Sequence, residues 1–221
     1  ALFTVRDFLS KISNMQYMLI NLLEAPLLAI LLAYIIRFQN DPDKPERYLF
    51  RYNDNVPAYI LICIIISLFM GLTVSAEEII KDRKIQKREQ FLNLSRFGYL
   101  FSKISILFTL SAIQTFTFVL IGNSILEIQI GLLWSYWGML FTISCFANML
   151  GLNISSMFNS VITIYITIPL LLIPQMILSG IIFRYEKMNK SISERGTVPI
   201  LADFMVSRWA FEGMTVNHYM N

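Results

Sequence analysis

Glu24, in the run NLLEAPLLAI, is the only carboxylate well inside an apolar stretch of this 221-residue chain. A carboxyl group at membrane depth can carry a proton or hold a cation, and it normally faces protein or water rather than lipid. Two readings stay open: the acid lies inside the first span and does such work, or that span starts later and Glu24 sits among headgroups. His218 is the only histidine, so neither a metal cluster nor a histidine relay is expected. Cys63 and Cys145 both fall within apolar runs. They read as free buried thiols, with no disulfide and no metal. No Gly-x4-Gly-Lys loop occurs, so the chain binds no nucleotide by a P-loop. An integral membrane enzyme would place several His, Asp or Glu near one membrane face, and the spans offer no such constellation.

The densest charge is AEEIIKDRKIQKREQFL, residues 76–92, with five Lys/Arg and four Asp/Glu. Glu77 and Lys81 stand i,i+4 in the favourable order, and Glu78 and Lys81 stand i,i+3. With no Pro or Gly before Gly98, the preceding helix can run on into water. Taken alone, the block reads as a topology anchor with a solvated face.

These residues have to be positioned by membrane helices. The chain is 56% hydrophobic and 15% charged, against about 45–50% and 25% in soluble domains. Spanning a bilayer takes about 20 apolar residues, and five stretches qualify: Met15 to Ile36, Pro57 to Val74, Tyr99 to Ile121, Gly131 to Ile154 and Val161 to Phe183. They lack the polar residue every third or fourth position of a soluble bundle. The fold class is all-α, a polytopic helical membrane domain filling residues 1–221. Residues 37–56 read as a solvated loop. Short links make spans two and three, three and four, and four and five antiparallel neighbours. The missing start Met and the odd span count lead us to expect a piece of a longer protein. The first apolar run lacks a cleavage site, so no signal peptide is read.

With Ala1 inside, nine Lys/Arg fall on each side of the membrane. The dense cluster at 81–103 breaks the tie and places the N-terminus in the cytoplasm. The tail from Pro199 to Tyr219 cannot span, because Asp203, Arg208 and Glu212 interrupt it. Its apolar residues recur at helical spacing, so an interfacial or re-entrant helix on the outer side is expected. The small net charge of +3, with no basic stripe among aromatics, gives no sign of nucleic acid.

Two stripes of small residues recur every fourth position: Ser67, Gly71 and Ser75 in span two, and Ala147, Gly151 and Ser155 in span four. Such stripes let another helix, or a ligand, approach the backbone closely. Gln114, Asn148, Asn153 and Asn159 are expected to hydrogen-bond across helices. Pro169 and Pro174 fall together in span five, where each can kink the helix, and a gating role is one reading of the pair. No internal repeat is seen, so an inverted-repeat transporter finds no support.

SAEEIIKDRKIQKREQFLNLSRFGYLFSK, residues 75–103, resembles the segment between the second and third spans of G-subfamily ATP-binding cassette half-transporters. The family's acid, its Arg-Glu pair and its Ser-x-x-(Gly/Ala)-Tyr-x-x-x-Lys match Glu78, Arg88, Glu89, Ser95, Gly98, Tyr99 and Lys103. LSGIIF, residues 178–183, is similar to the Ser-Gly stretch ending the family's fifth span. SRWAFEGMTVNHY is similar to its Pro-x-Arg-Tyr-Ala-x-Glu-Ala stretch. The family's sixth span and its preceding nucleotide-binding domain have no counterpart here. The outer loop lacks the extra cysteines of animal members, which points to a bacterial relative.

The resemblance implies a permease domain with five of six spans, one that forms the substrate pathway as a dimer, most simply a homodimer. It implies a charged coupling helix at residues 76–98 that docks on an ATP-binding domain. ATP and Mg would sit on that domain, with no cofactor and no catalysis in this chain. Glu78, Arg88, Glu89, Ser95 and Tyr99 match the coupling segment. Ser67, Leu68, Gly71, Ile173 and Met176 match cavity-facing positions, and Ile181 and Ile182 match the hydrophobic pair that plugs the exit. The expected location is a cell membrane, crossed many times. The alternative is an ion-coupled secondary transporter, for which Glu24 is the one available titratable site.

Overall fold

The computed structural model of the chain describes residues 8–9, 11, 13–37, 55–89, 96–183, 185 and 198–220. Among them no strand occurs, and the protein is a bundle of helices. Helix α1 runs Met15–Ile36, with the Asn14 side chain capping its first turn by accepting from the Tyr17 amide at 3.2 Å. Next come α2, Asn55–Ala76, and α3, Glu78–Glu89. Helix α4 spans Arg96–Ile125, a 3-10 turn covers Ile130–Leu132, and α5 spans Leu133–Met157. Then follow α6, Val161–Ile177, α7, Ile200–Asp203, and α8, Val206–Met220. Four helices are long and apolar enough to cross a membrane; α6 is a shorter apolar helix of 17 residues. The expected loop at 37–56 lies almost wholly outside the described residues.

The two small-residue stripes meet each other. Ser67 Oγ donates to the Leu140 carbonyl at 2.7 Å. A Cβ on Gly71 would stand 2.7 Å from both Ala147 Cβ and the Ser144 carbonyl oxygen. One on Gly151 would stand 1.9 Å from Ser75 Oγ. Residue numbers rise together along this seam, so α2 and α5 run parallel, backbone against backbone. Apolar side chains gain little by leaving lipid, so close packing and hydrogen bonds must hold such a pair, and glycines make the approach available. Helices α1 and α4 form a second parallel pair, joined where Gln114 Nε2 donates to the Asn21 carbonyl at 2.9 Å. The pairs join through α4 and α5, where Asn148 Nδ2 donates to Ser111 Oγ at 2.7 Å and Ser144 Oγ donates to the same oxygen at 3.0 Å.

This arrangement corrects the expected neighbours. Spans three and four do pack, but α2 touches α4 only slightly, and α5 and α6 have no extensive contact despite their short link. The seam of small residues, rather than link length, selects the partners. Of the four amides expected to bond across helices, Gln114 and Asn148 do so and Asn159 accepts from Arg83; the Asn153 side chain is exposed.

The fifth apolar stretch was expected to stay helical to Phe183, yet α6 stops at Ile177. Ser179 Oγ donates back to the Met176 carbonyl at 2.7 Å, and Gly180 adopts φ +83°. That left-handed position favours glycine and ends a helix. Tyr185 closes the turn, its hydroxyl donating to the Leu178 carbonyl at 2.8 Å. Pro169 and Pro174 both lie inside α6 without ending it.

Helix α8 turns Ser207, Ala210 and Met214 inward, and rests on α2, α5 and α6. Ser207 N donates to Gln175 Oε1 at 3.0 Å, and Ser207 Oγ donates to the Gln175 carbonyl at 2.6 Å. Asp203 and Arg208, which forbid a span here, pair with each other. Helix α8 meets the starting ends of α2 and α5; α3 meets the finishing end of α5. The tail helix and the charged helix therefore occupy opposite ends of the bundle.

Candidate functional site

The charged block does not extend α2 in one piece. The chain turns at Glu77 and starts a new helix, which leaves the first amides of α3 without intrahelical acceptors. Glu78 and Asp82 then share one face of α3 at i,i+4, and Tyr99 and Lys103 share one face of α4 at the same spacing. The two faces meet. Lys103 Nζ lies 2.8 Å from Asp82 and 3.2 Å from Glu78. The Tyr99 hydroxyl donates to Asp82 Oδ2 at 2.9 Å. From ahead of α1, Lys11 Nζ reaches Glu78 Oε1 at 2.7 Å, and the Tyr17 hydroxyl stands 3.5 Å from that oxygen.

Two carboxylates and two ammonium groups thus form a quartet without net charge, tying α3 to α4 and to the segment before α1. Glu78 and Lys103 are almost fully buried. Placing these charges out of water is costly singly and tolerable only as a balanced, hydrogen-bonded set.

A neighbouring face of α3 grips α5. Ser155 Oγ, fully buried, accepts from the amides of Ile79 and Ile80 at 3.1 and 3.2 Å. This is the work of an N-cap side chain, supplied here by another helix. In return, Arg83 Nη2 donates to the carbonyls of Ser155 and Ser156 at 3.2 and 2.7 Å, and Nη1 donates to Asn159 Oδ1. A guanidinium over the last carbonyls of α5 satisfies orphan acceptors and suits the negative end of that helix. Glu77 pairs with Lys81 and accepts from the Tyr165 hydroxyl of α6 at 2.6 Å.

The block's first residues are therefore engaged by their own membrane domain. Of the coupling residues expected from sequence, Glu78 and Tyr99 come together around Lys103. Arg88 and Glu89 lie in the last turn of α3, and their side chains fall outside the described residues, as does Ser95. Lys11, Asp82, Arg83 and Ser155 were not assigned to this site from sequence. The matched i,i+4 spacing was a signal for Asp82; nothing in the sequence pairs Lys11 or Arg83 with residues more than 60 positions away.

The residues matched to a substrate pathway divide into two groups. Ser67 and Gly71, matched to cavity-facing positions, lie against α5 of the same chain, and Leu68 is buried in the core beside them. Ile173 and Met176 lie on the exposed face of α6, with Ile182 exposed and Ile181 partly buried beyond its end. Glu24 is half-buried in α1, about 13 Å along the axis from Met15 at 1.5 Å per residue. The acid belongs to the body of the first helix, not to its start.

A family model described as ABC-2 type transporter matches residues 1–219. No curated protein matches the chain.

Proposed function

The chain belongs to the ABC-2 type transporter family, a multi-pass membrane permease component of ABC transporters, and from that premise we propose that it is the membrane domain of a G-subfamily-like exporter working as a dimer. The observation that carries this reading is the quartet of Lys11, Glu78, Asp82 and Lys103. A charged helix fixed to two other elements by buried ion pairs moves as part of the bundle, so a push on α3 is a push on α4 and on the entry to α1.

An ATP-binding domain, on the same polypeptide or a separate subunit, supplies that push from the cytoplasm. ATP and Mg belong to that domain; this chain carries the motion and lines the path. Arg88 and Glu89 in the last turn of α3, with Ser95 beyond it, are assigned to the contact with that domain. The pathway is assigned to Ile173, Met176 and Ile182 on the exposed side of α6, between two copies of the chain. Ile181 shares the exit with Ile182. The membrane is the cytoplasmic one, and transport runs outward.

Two measurements on the assembled transporter in lipid vesicles test this. Glu89→Lys should insert normally and retain ATP binding, yet lose coupling between ATP hydrolysis and transport of a fluorescent amphipathic probe. Losing one partner of a semi-buried charged contact typically costs about 2–5 kcal/mol. A wild-type ratio of transport to hydrolysis in this variant leaves α3 a mere topology anchor. A cysteine at Ile182, with Cys63 and Cys145 replaced by Ala, should cross-link between copies in at least one nucleotide condition. Absence of the cross-link in all conditions refutes the dimer.

Glu24, lodged within α1, favours one competing reading, ion-coupled transport. Loss of transport on adding a protonophore, with ATP intact, would select it.

A further inference from the structure

Three helix ends converge at the foot of the α2–α5 seam: the start of α3, the finish of α5 and, through a link of three residues, the start of α6. Along the seam Ser67 meets Leu140, Gly71 meets Ser144 and Ala147, and Ser75 meets Gly151. The next rung is Ser155, and what it meets is the first turn of α3. The chain has already turned at Glu77, yet the register of the seam continues across the turn.

At this rung each helix completes the other. Helix α3 lacks acceptors for its first amides, and Ser155 Oγ takes those of Ile79 and Ile80. Helix α5 lacks donors for its last carbonyls, and Arg83 covers those of Ser155 and Ser156. Arg83 also holds Asn159, inside the Phe158–Ser160 link to α6. Tyr165, in the second turn of α6, donates to Glu77 at 2.6 Å. Helix α6 carries the exposed residues assigned to the pathway but makes no extensive contact with α5. It packs on α2 and buries Ile164 and Ile168 in the core, and among the described residues its polar ties at this end are the short link, where Arg83 holds Asn159, and the Tyr165–Glu77 bond at the turn into α3.

We infer that Arg83 and Ser155 are positioning residues which carry the movement of α3 into the α5–α6 link, and so to α6, by a route separate from the quartet that drives α1 and α4. The bundle then has two outputs from one input. Glu78 and Asp82 deliver motion to the α1–α4 pair, and Arg83 with Ser155 delivers it to the helix that flanks the substrate path. A planar guanidinium with several donors can hold two carbonyls and an amide oxygen together; a lysine ammonium has one centre and cannot cover the same spread. The inference rests on the coupling role proposed for α3.

The test uses the full transporter, assembled with its ATP-binding domain in lipid vesicles. Single reporter labels are placed at Lys87 on α3, Leu19 on α1 and Ile162 on α6, all exposed. In the wild type, ATP should shift all three reporters. In Arg83→Gln, the shifts at Lys87 and Leu19 should persist, while the shift at Ile162 falls at least threefold and transported probe per ATP hydrolysed falls with it. Arg83→Lys should recover part of the Ile162 response, and Ser155→Ala should resemble Arg83→Gln. An Ile162 shift of wild-type size in both Arg83→Gln and Ser155→Ala overturns the second route and leaves the coupling role of α3 intact. Equal loss at Leu19 and Ile162 also overturns it, because the joint would then merely hold the fold. A wild-type protein whose Lys87 reporter ignores ATP overturns the coupling role itself, and this inference with it.

Discussion

Replacing Glu78 by Gln keeps the shape of the side chain and removes one of the four charges in the quartet. Lys103 retains Asp82 at 2.8 Å, but Lys11 loses the carboxylate it holds at 2.7 Å. The side chains of Lys11 and Lys103 are 13% and 6% exposed, so water offers the stranded ammonium little relief. Breaking a buried pair by removing one partner costs about 3–5 kcal/mol, and because Asp82 remains, about 3 kcal/mol is the appropriate figure. That weakens the docking of α3 rather than the apolar bundle, so local opening is the quantity to measure. At 1.4 kcal/mol per factor of ten, the amides of Ile79 and Ile80 should exchange with solvent deuterium about 100-fold faster. Amides in the middle of α5 should keep their wild-type rates. Adding Lys11→Met removes the uncompensated charge and should restore at least half of the lost protection on a logarithmic scale. Exchange within threefold of wild type in Glu78→Gln, or no recovery in the double variant, would show that the quartet does not hold α3 down.

Two further outcomes follow from the seam and from the tail helix. In Gly151→Ala the new Cβ meets Ser75 Oγ at 1.9 Å and Ser75 Cβ at 3.0 Å, so α2 must shift at a cost of about 1–3 kcal/mol; the thermal midpoint in detergent should fall, whereas Gly138→Ala, with open space around its Cβ, should not lower it. His218 makes a 2.7 Å hydrogen bond through Nδ1 with the Tyr136 hydroxyl, and burial holds its pKa below the ordinary value. Since the unfolded imidazole binds a proton more readily than the docked one, docking of α8 is fullest above about pH 6.5 and weakens as pH falls below it. Proteolysis or exchange of α8 should therefore rise between about pH 7 and 5, and His218→Gln should flatten that dependence; an unchanged profile in the variant would refute it.

The spans were legible because hydropathy along a chain is a local property. The α1 boundaries, Met15 and Ile36, coincide with the first apolar run. Span five was overdrawn for the same reason: residues 178–183 are apolar enough to continue, but Ser179 and the left-handed Gly180 end the helix by backbone geometry. The small stripes in α2 and α5 were visible as fourfold spacing of Ser, Gly and Ala, yet a stripe does not name its partner. Ser67 and Gly71 were matched to a cavity, and within one chain the helix they meet is α5. Of the joint, Glu78, Tyr99 and Lys103 could be read from motif spacing. Lys11, Arg83 and Ser155 could not, since each acts across 67 to 76 positions and pairs with groups that leave no pattern in either segment alone.

The parallel pairing has a consequence for how the chain is made. Spans enter the membrane in order, but α1 finds its partner only when α4 arrives, and α2 only when α5 does; the bonds joining them link residues 93 and 73 positions apart. Until then Ser67 must stay in lipid or water without its Leu140 acceptor, and Gly71 of α2 lies open to any passing helix. A ribosome that has delivered α1, α2 and α3 has produced no stable pair. Assembly of this domain is thus a late event, completed when the α5 stripe closes over α2 and Ser155 receives the first amides of α3, so a chain interrupted before Met157 should be handled as unassembled by membrane quality control.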